Sequence, residues 1–184
     1  MEIFKFHYYK DDNYPIFEKF INYLLKPDIF KSSMIVQLGI NNDKSTFVFD
    51  GIANKYDCDF ILSDNSIEKT SLIINELGTK TQIITEDTIN FIYNLSTYIH
   101  ISKDPNFKNL KIHLYLNCWD NNLFDIENIN IYYNSYLIIK SQLKTGSQIL
   151  IYTNKNFDLI SIMKKELNDL SLIFENDLYL LFII

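Results

Sequence analysis

The chain has 184 residues, 47% of them hydrophobic and 22% charged, which reads as one globular domain over residues 1–184 and not as a disordered segment. All 17 basic residues are Lys, so bidentate guanidinium clamping of phosphate or carboxylate is excluded. A net charge of −6 argues against duplex nucleic acid as a partner.

Thirty Ile stand against two Val and one Ala, beside 21 Asn. Ile, Asn, Lys, Phe and Tyr all have AT-rich codons, so mutational bias accounts for much of this composition.

Residues 3–9 alternate, with Phe4, Phe6 and Tyr8 on one strand face. The segment is charged and does not resemble a signal peptide. Asn13 and Pro15 open a helix that Pro27 ends. Met34 to Ile40, the turn 41–43 and Ser45 to Ile52 read as a β-hairpin. Cys58 to Leu62 is a further strand, and Ser66 to Leu77 a helix stopped by Gly78.

Residues 88–101 fit both periods, but their β-branched, aromatic and Asn content favours strands. Leu110 to Cys118 alternates cleanly, with Lys111, His113, Tyr115, Asn117 and Trp119 on the second face. Residues 129–139 read as its antiparallel neighbour, one face buried and one partly wet. Gln148 to Tyr152 is a buried strand, and Asn156 caps a helix to Leu167. Ser171 to Glu175 and Leu178 to Ile184 form a hairpin about Asn176-Asp177. The expected fold is therefore α+β, with a largely antiparallel sheet of about 8–10 strands and about three helices.

No apolar run reaches the length of a bilayer span. Cys58 and Cys118 lie in expected strands, which suits buried reduced thiols in a cytoplasmic protein, with a disulfide as the alternative. No glycine-rich phosphate loop of standard spacing is present. Neither Ser nor Cys sits in a nucleophile context. His7, His100 and His113 lack compact metal-ligand spacing. Asp57 and Asp59 share an expected strand face, with no calcium loop around them. No cofactor or metal is expected.

The remaining lead is residues 115–139, which hold Tyr115, Trp119, Tyr132 and Tyr136 with Asp120, Asp125 and Glu127 and no Lys. Such a segment suits a protein interface, with aromatic anchors and acids that steer a basic partner. The expected function is a non-enzymatic, cytoplasmic protein-binding protein, concretely an immunity or antitoxin-type inhibitor that occludes a basic partner. The alternatives are a small enzyme or metal site assembled from His7, His100, His113, Asp57 and Asp59, and a single-stranded nucleic-acid platform on Lys111, Tyr115 and Trp119.

Overall fold

A computed structural model describes residues 33–40, 45–105, 109–117 and 125–184. The expected strand 3–9, the helix opened at Asn13 and the turn 41–43 lie outside these residues, as do His7, Cys118, Trp119 and Asp120.

The described chain begins with β1 (Ser33–Leu38), α1 (Ser45–Tyr56), β2 (Asp59–Asp64) and α2 (Ile67–Ile73), which runs on into a short 3-10 turn. Next come β3 (Thr81–Thr85), α3 (Thr88–Ile101), β4 (Lys111–Leu116) and α4 (Asp125–Ile139). The chain closes with β5 (Gln148–Tyr152), α5 (Phe157–Glu166), β6 (Ser171–Glu175) and β7 (Tyr179–Ile183).

The strands form one seven-stranded sheet in the order β3-β2-β1-β4-β5-β7-β6. The β1, β2, β3, β4 and β5 strands are parallel. Only β7 runs antiparallel to its neighbours, β5 and β6.

This corrects the expected antiparallel α+β sheet. Three segments that read as strands are helices: residues 45–56 and 125–139 are crossover helices where the sequence suggests antiparallel strand pairs, and residues 88–101 form a further helix. In α1, Val48, Phe49, Ile52 and Ala53 are buried at helical spacing. In α3, Phe91, Ile92, Leu95 and Ile99 do the same. The Asp87 carboxylate caps α3 by accepting the Ile89 and Asn90 N–H groups at 3.0 and 3.1 Å. In α4, Tyr132, Ser135, Tyr136 and Ile139 form the buried stripe.

The elements that match expectation carry local chemistry of their own. Ser66 caps α2 by accepting the Lys69 N–H, and Asn156 caps α5 by accepting that of Leu159. The Asn176 side chain closes the β6–β7 turn by accepting the Leu178 and Tyr179 N–H groups.

Both sheet faces are covered, as a parallel sheet requires. One face packs Val36, Leu38, Leu114, Leu116 and Ile151 against α3, α4 and α5. The other packs Ile35, Phe60, Tyr115, Leu150 and Leu181 against α1. No helix among the described residues is long and apolar enough to cross a membrane.

Candidate functional site

The strand order reverses between β1 and β4. From β1 the chain adds β2 and β3 on one side, then returns to place β4 on the other. In open parallel sheets the crevice at the carboxyl ends of two such strands is where ligands bind.

Here the end of β1 turns sharply at Gly39, whose φ of +89° is free of steric penalty only for glycine. Both neighbouring strands clamp this turn. Gly39 N–H donates to Ser63 O at 2.7 Å, and Asn117 N–H donates to Leu38 O at 2.7 Å. Asp64, the last residue of β2, accepts the Ile40 N–H at 2.6 Å through Oδ2 and the Ser66 N–H at 2.7 Å through Oδ1. Gln37 Nε2 ties the turn to α1 by donating to Gly39 O and Thr46 Oγ1, both at 2.9 Å.

Acceptor capacity remains at this crevice. An ionised carboxylate has about four lone-pair sites, and the bonds from Ile40 and Ser66 leave Asp64 room for hydroxyl donors. Gln37 Oε1 and Ser63 Oγ are buried with no partner among the described residues. A backbone turn without a side chain, a buried carboxylate and unused polar atoms suit a ligand rich in hydroxyl groups, such as a nucleoside.

Among the described residues, the three tyrosines expected at a protein interface are buried in the core. Tyr115 is wholly buried on β4, edge-on to Phe49 at 5.3 Å between ring centres. Tyr132 and Tyr136 are buried on α4, in the cluster on the opposite sheet face. Packing covers both faces of β4, Leu114 and Leu116 on one and Tyr115 on the other, which is why the expected platform of Lys111, Tyr115 and Trp119 fails at Tyr115. Asp125 and Glu127 lie in the first turn of α4, and the Glu127 side chain is exposed. Trp119 and Asp120 lie outside the described residues.

Replacing Tyr115 or Tyr136 with Ala is therefore expected to destabilise the fold by ~3–5 kcal/mol, as other large-to-small core changes do. Urea unfolding checks this; a loss below about 1 kcal/mol at both positions would show surface side chains instead.

The dispersed His/Asp site is not assembled among the described residues either. His113 alternates with Ile112 and Leu114 and so projects toward the α1 side, whereas His100 is exposed on α3 across the sheet. Asp57 is not on a strand. It ends α1 in the left-handed region, φ +56°, and its carboxylate pairs with Lys80. No group of three or more His, Cys, Asp or Glu among the described residues could hold a metal ion. Cys58 is a free buried thiol, pushed up to about 11 chiefly by burial and by Asp59 beside it. At neutral pH that is an inert thiol.

The residues missed by sequence reasoning are Gly39, Asp64 and Gln37. The available signal was one of only four glycines, placed directly after the strand Met34-Ile35-Val36-Gln37-Leu38.

No protein-family model matches the sequence, and a search of curated proteins finds no match. Solved structures do share the fold. The apo TDP-rhamnose 3'-O-methyltransferase CalS11 of calicheamicin biosynthesis superposes with a TM-score of 0.61 at 12% identity, covering 90% of this chain and 76% of that one. The Podospora anserina methyltransferase PaMTH1, bound to SAH, gives 0.57 at 10% identity over 89% and 76%. A precorrin 8w decarboxylase from Methanobacterium thermoautotrophicum gives 0.55 at 12% identity over 90% and 88%. The chain thus has a Rossmann-like fold that solved methyltransferases share, and this finding stands against the expectation of a non-enzymatic immunity or antitoxin-type inhibitor.

Proposed function

We propose that the chain is an enzyme that binds S-adenosylmethionine at the β1/β4 crevice and transfers its methyl group to an acceptor. The observation that carries this reading is the switch point itself. A left-handed Gly39 and a buried Asp64 flank it, in a sheet whose single reversed strand is β7. When bound, the cofactor supplies an electrophilic sulfonium methyl.

Gly39 lets the ligand approach the backbone without meeting a side chain. Asp64 holds the Ile40 and Ser66 amides and has lone pairs left for hydroxyl donors. Gln37 fixes the turn against α1 and keeps one free acceptor. One of the structures sharing the fold is a decarboxylase by description, so binding is tested before chemistry. The buried thiol of Cys58 suits a reducing compartment, and we place the protein in the cytoplasm on that ground.

Calorimetric titration of the full chain with S-adenosylhomocysteine and with S-adenosylmethionine is expected to show saturable one-to-one binding. The Asp64→Asn variant, checked for folding by circular dichroism, is expected to bind at least about tenfold more weakly, the scale of one lost charge-assisted hydrogen bond. Absence of saturable binding to the folded wild type overturns the reading.

A further inference from the structure

The two edges of the sheet are built differently. At the β6 edge the ladder is irregular between Leu172 and Phe174, and the Lys164–Glu175 ion pair ties its last residue to α5. Bulges and edge charges are standard protection against strand addition. The β3 edge has neither: Thr81-Gln82-Ile83-Ile84-Thr85 carries no charge, proline or bulge, and its register against β2 is unbroken.

Its backbone is half used. Lys80 O accepts from Phe60 N–H, and Glu86 N–H donates to Asp64 O, so the even-numbered residues face β2. By alternation Thr81, Ile83 and Thr85 direct their N–H and C=O groups to the open edge. Thr81 N–H is taken up by Gly78 O at 3.2 Å. No other bond satisfies this outer row among the described residues.

Apolar surface adjoins the same edge. Ile84, Phe91, Leu95 and Tyr98 line a groove of about 380 Å³ between β3 and α3. Tyr98 remains 54% exposed, and on α2, which covers the other face of β2 and β3, Leu72 is 72% exposed.

We propose that β3 is a homodimer interface, at which two copies pair antiparallel about a two-fold axis through Ile83. Only odd-numbered residues can bond across the axis, which restricts the register. Centring on Ile83 sets Thr81 opposite the second copy's Thr85. It also sets Lys80 opposite Glu86, so that both charged ends of the strand meet their opposites. Lys80 keeps Asp57, and Glu86 keeps Asn94, within each copy. A lysine ammonium has three donors and a carboxylate about four acceptor sites, so both can serve a second partner. Four backbone bonds cross the axis: Ile83 to Ile83 twice, and Thr85 N–H to Thr81 O twice, since Thr81 N–H is already used. The result is one continuous sheet with the two grooves side by side.

Sedimentation-velocity and light-scattering measurements on the full chain over a concentration series test this. The expected particle is twice 21.8 kDa. Glu86→Lys sets Lys against Lys80 at both ends and is expected to weaken the dimer at least about tenfold; Lys80→Glu with Glu86→Lys restores the pairing and the affinity. Thr85→Pro removes an outward N–H without touching the β2 ladder and is expected to yield monomer with an unchanged circular dichroism spectrum. A wild type that stays monomeric to its solubility limit overturns the proposal. So does a dimer indifferent to Glu86→Lys and Thr85→Pro, which would use another surface, or a double variant no tighter than Glu86→Lys alone.

Discussion

Lowering the pH from about 7 to about 4 is expected to remove ~3 kcal/mol of stability through His113 alone. The imidazole is wholly buried, and burial holds it down to about 3, from an ordinary value of 6.5. Lys111 pushes in the same direction, and the Gln148 side chain, opposite His113 across the β4–β5 ladder, offsets only part of the effect. Between those two values the unfolded chain takes up a proton that the folded chain refuses. The stability is therefore complete above pH 6.5 and lost progressively as the pH falls toward 3. Urea denaturation across this range should slope by about 1.4 kcal/mol per pH unit below the ordinary value. His113→Leu, which fills similar space without a titrating group, should flatten that slope. NMR of the wild-type imidazole gives a second measurement: titration near its ordinary value would refute the buried neutral state.

The second large effect centres on Asp50, a buried carboxylate on α1. Its Oδ1 accepts from the Thr81 hydroxyl at 2.6 Å, the Gly78 N–H at 2.7 Å and Asn54 Nδ2 at 3.0 Å. It thereby fixes the start of β3 to the helix layer. Asp50→Ala leaves a half-buried N–H and hydroxyl without their carboxylate acceptor and is expected to cost about 2 kcal/mol. Gly78 is part of the same cluster. A Cβ there would lie 2.2 Å from Asn54 Nδ2, so Gly78→Ala must push the amide off Asp50, at about 1–2 kcal/mol. Removing that amide should relieve the clash: in a double-mutant cycle, Gly78→Ala is expected to cost less in an Asn54→Ala background. Strict additivity in thermal or urea unfolding would show that the amide is not what limits the space at Gly78.

Sequence patterns identified segments better than they identified partners. The β2, α2, β5 and α5 elements and the terminal hairpin are legible because short-range chemistry punctuates them: Ser66, Asn156 and Asn176 each bond backbone N–H groups two or three residues on. Residues 45–56, 88–101 and 125–139 are helices built from Ile, Tyr, Phe, Thr and Asn. With 30 Ile and a single Ala in the chain, the usual helix formers are scarce and propensity points the wrong way. Tertiary burial decides instead: Phe91, Ile92, Leu95 and Ile99 cover the sheet only as a helix. The Asp87 cap was the overlooked local signal.

The fold class followed from that error. A strand followed by a strand suggests a hairpin, whereas a strand followed by a helix permits a parallel neighbour. The candidate site was harder still to read. Gly39, Asp64 and Asn117 are brought together by β1, β2 and β4, which are separated along the chain and adjacent only in the sheet. Tyr115, Tyr132 and Tyr136 lie close in sequence yet divide between the two cores.

The position of β7 also constrains the order in which the molecule assembles. This strand lies between β5 and β6, although it follows both in the chain. The β6 strand has no ladder to join until β7 exists, so the two are expected to close as a hairpin and dock on β5 together. Contacts of β1 with β4 likewise span nearly eighty residues. Topologies dominated by such distant pairings fold slowly. Refolding should therefore pass through a stage in which the β1–β2–β3 half is ordered while the β5 edge still waits for its last two strands.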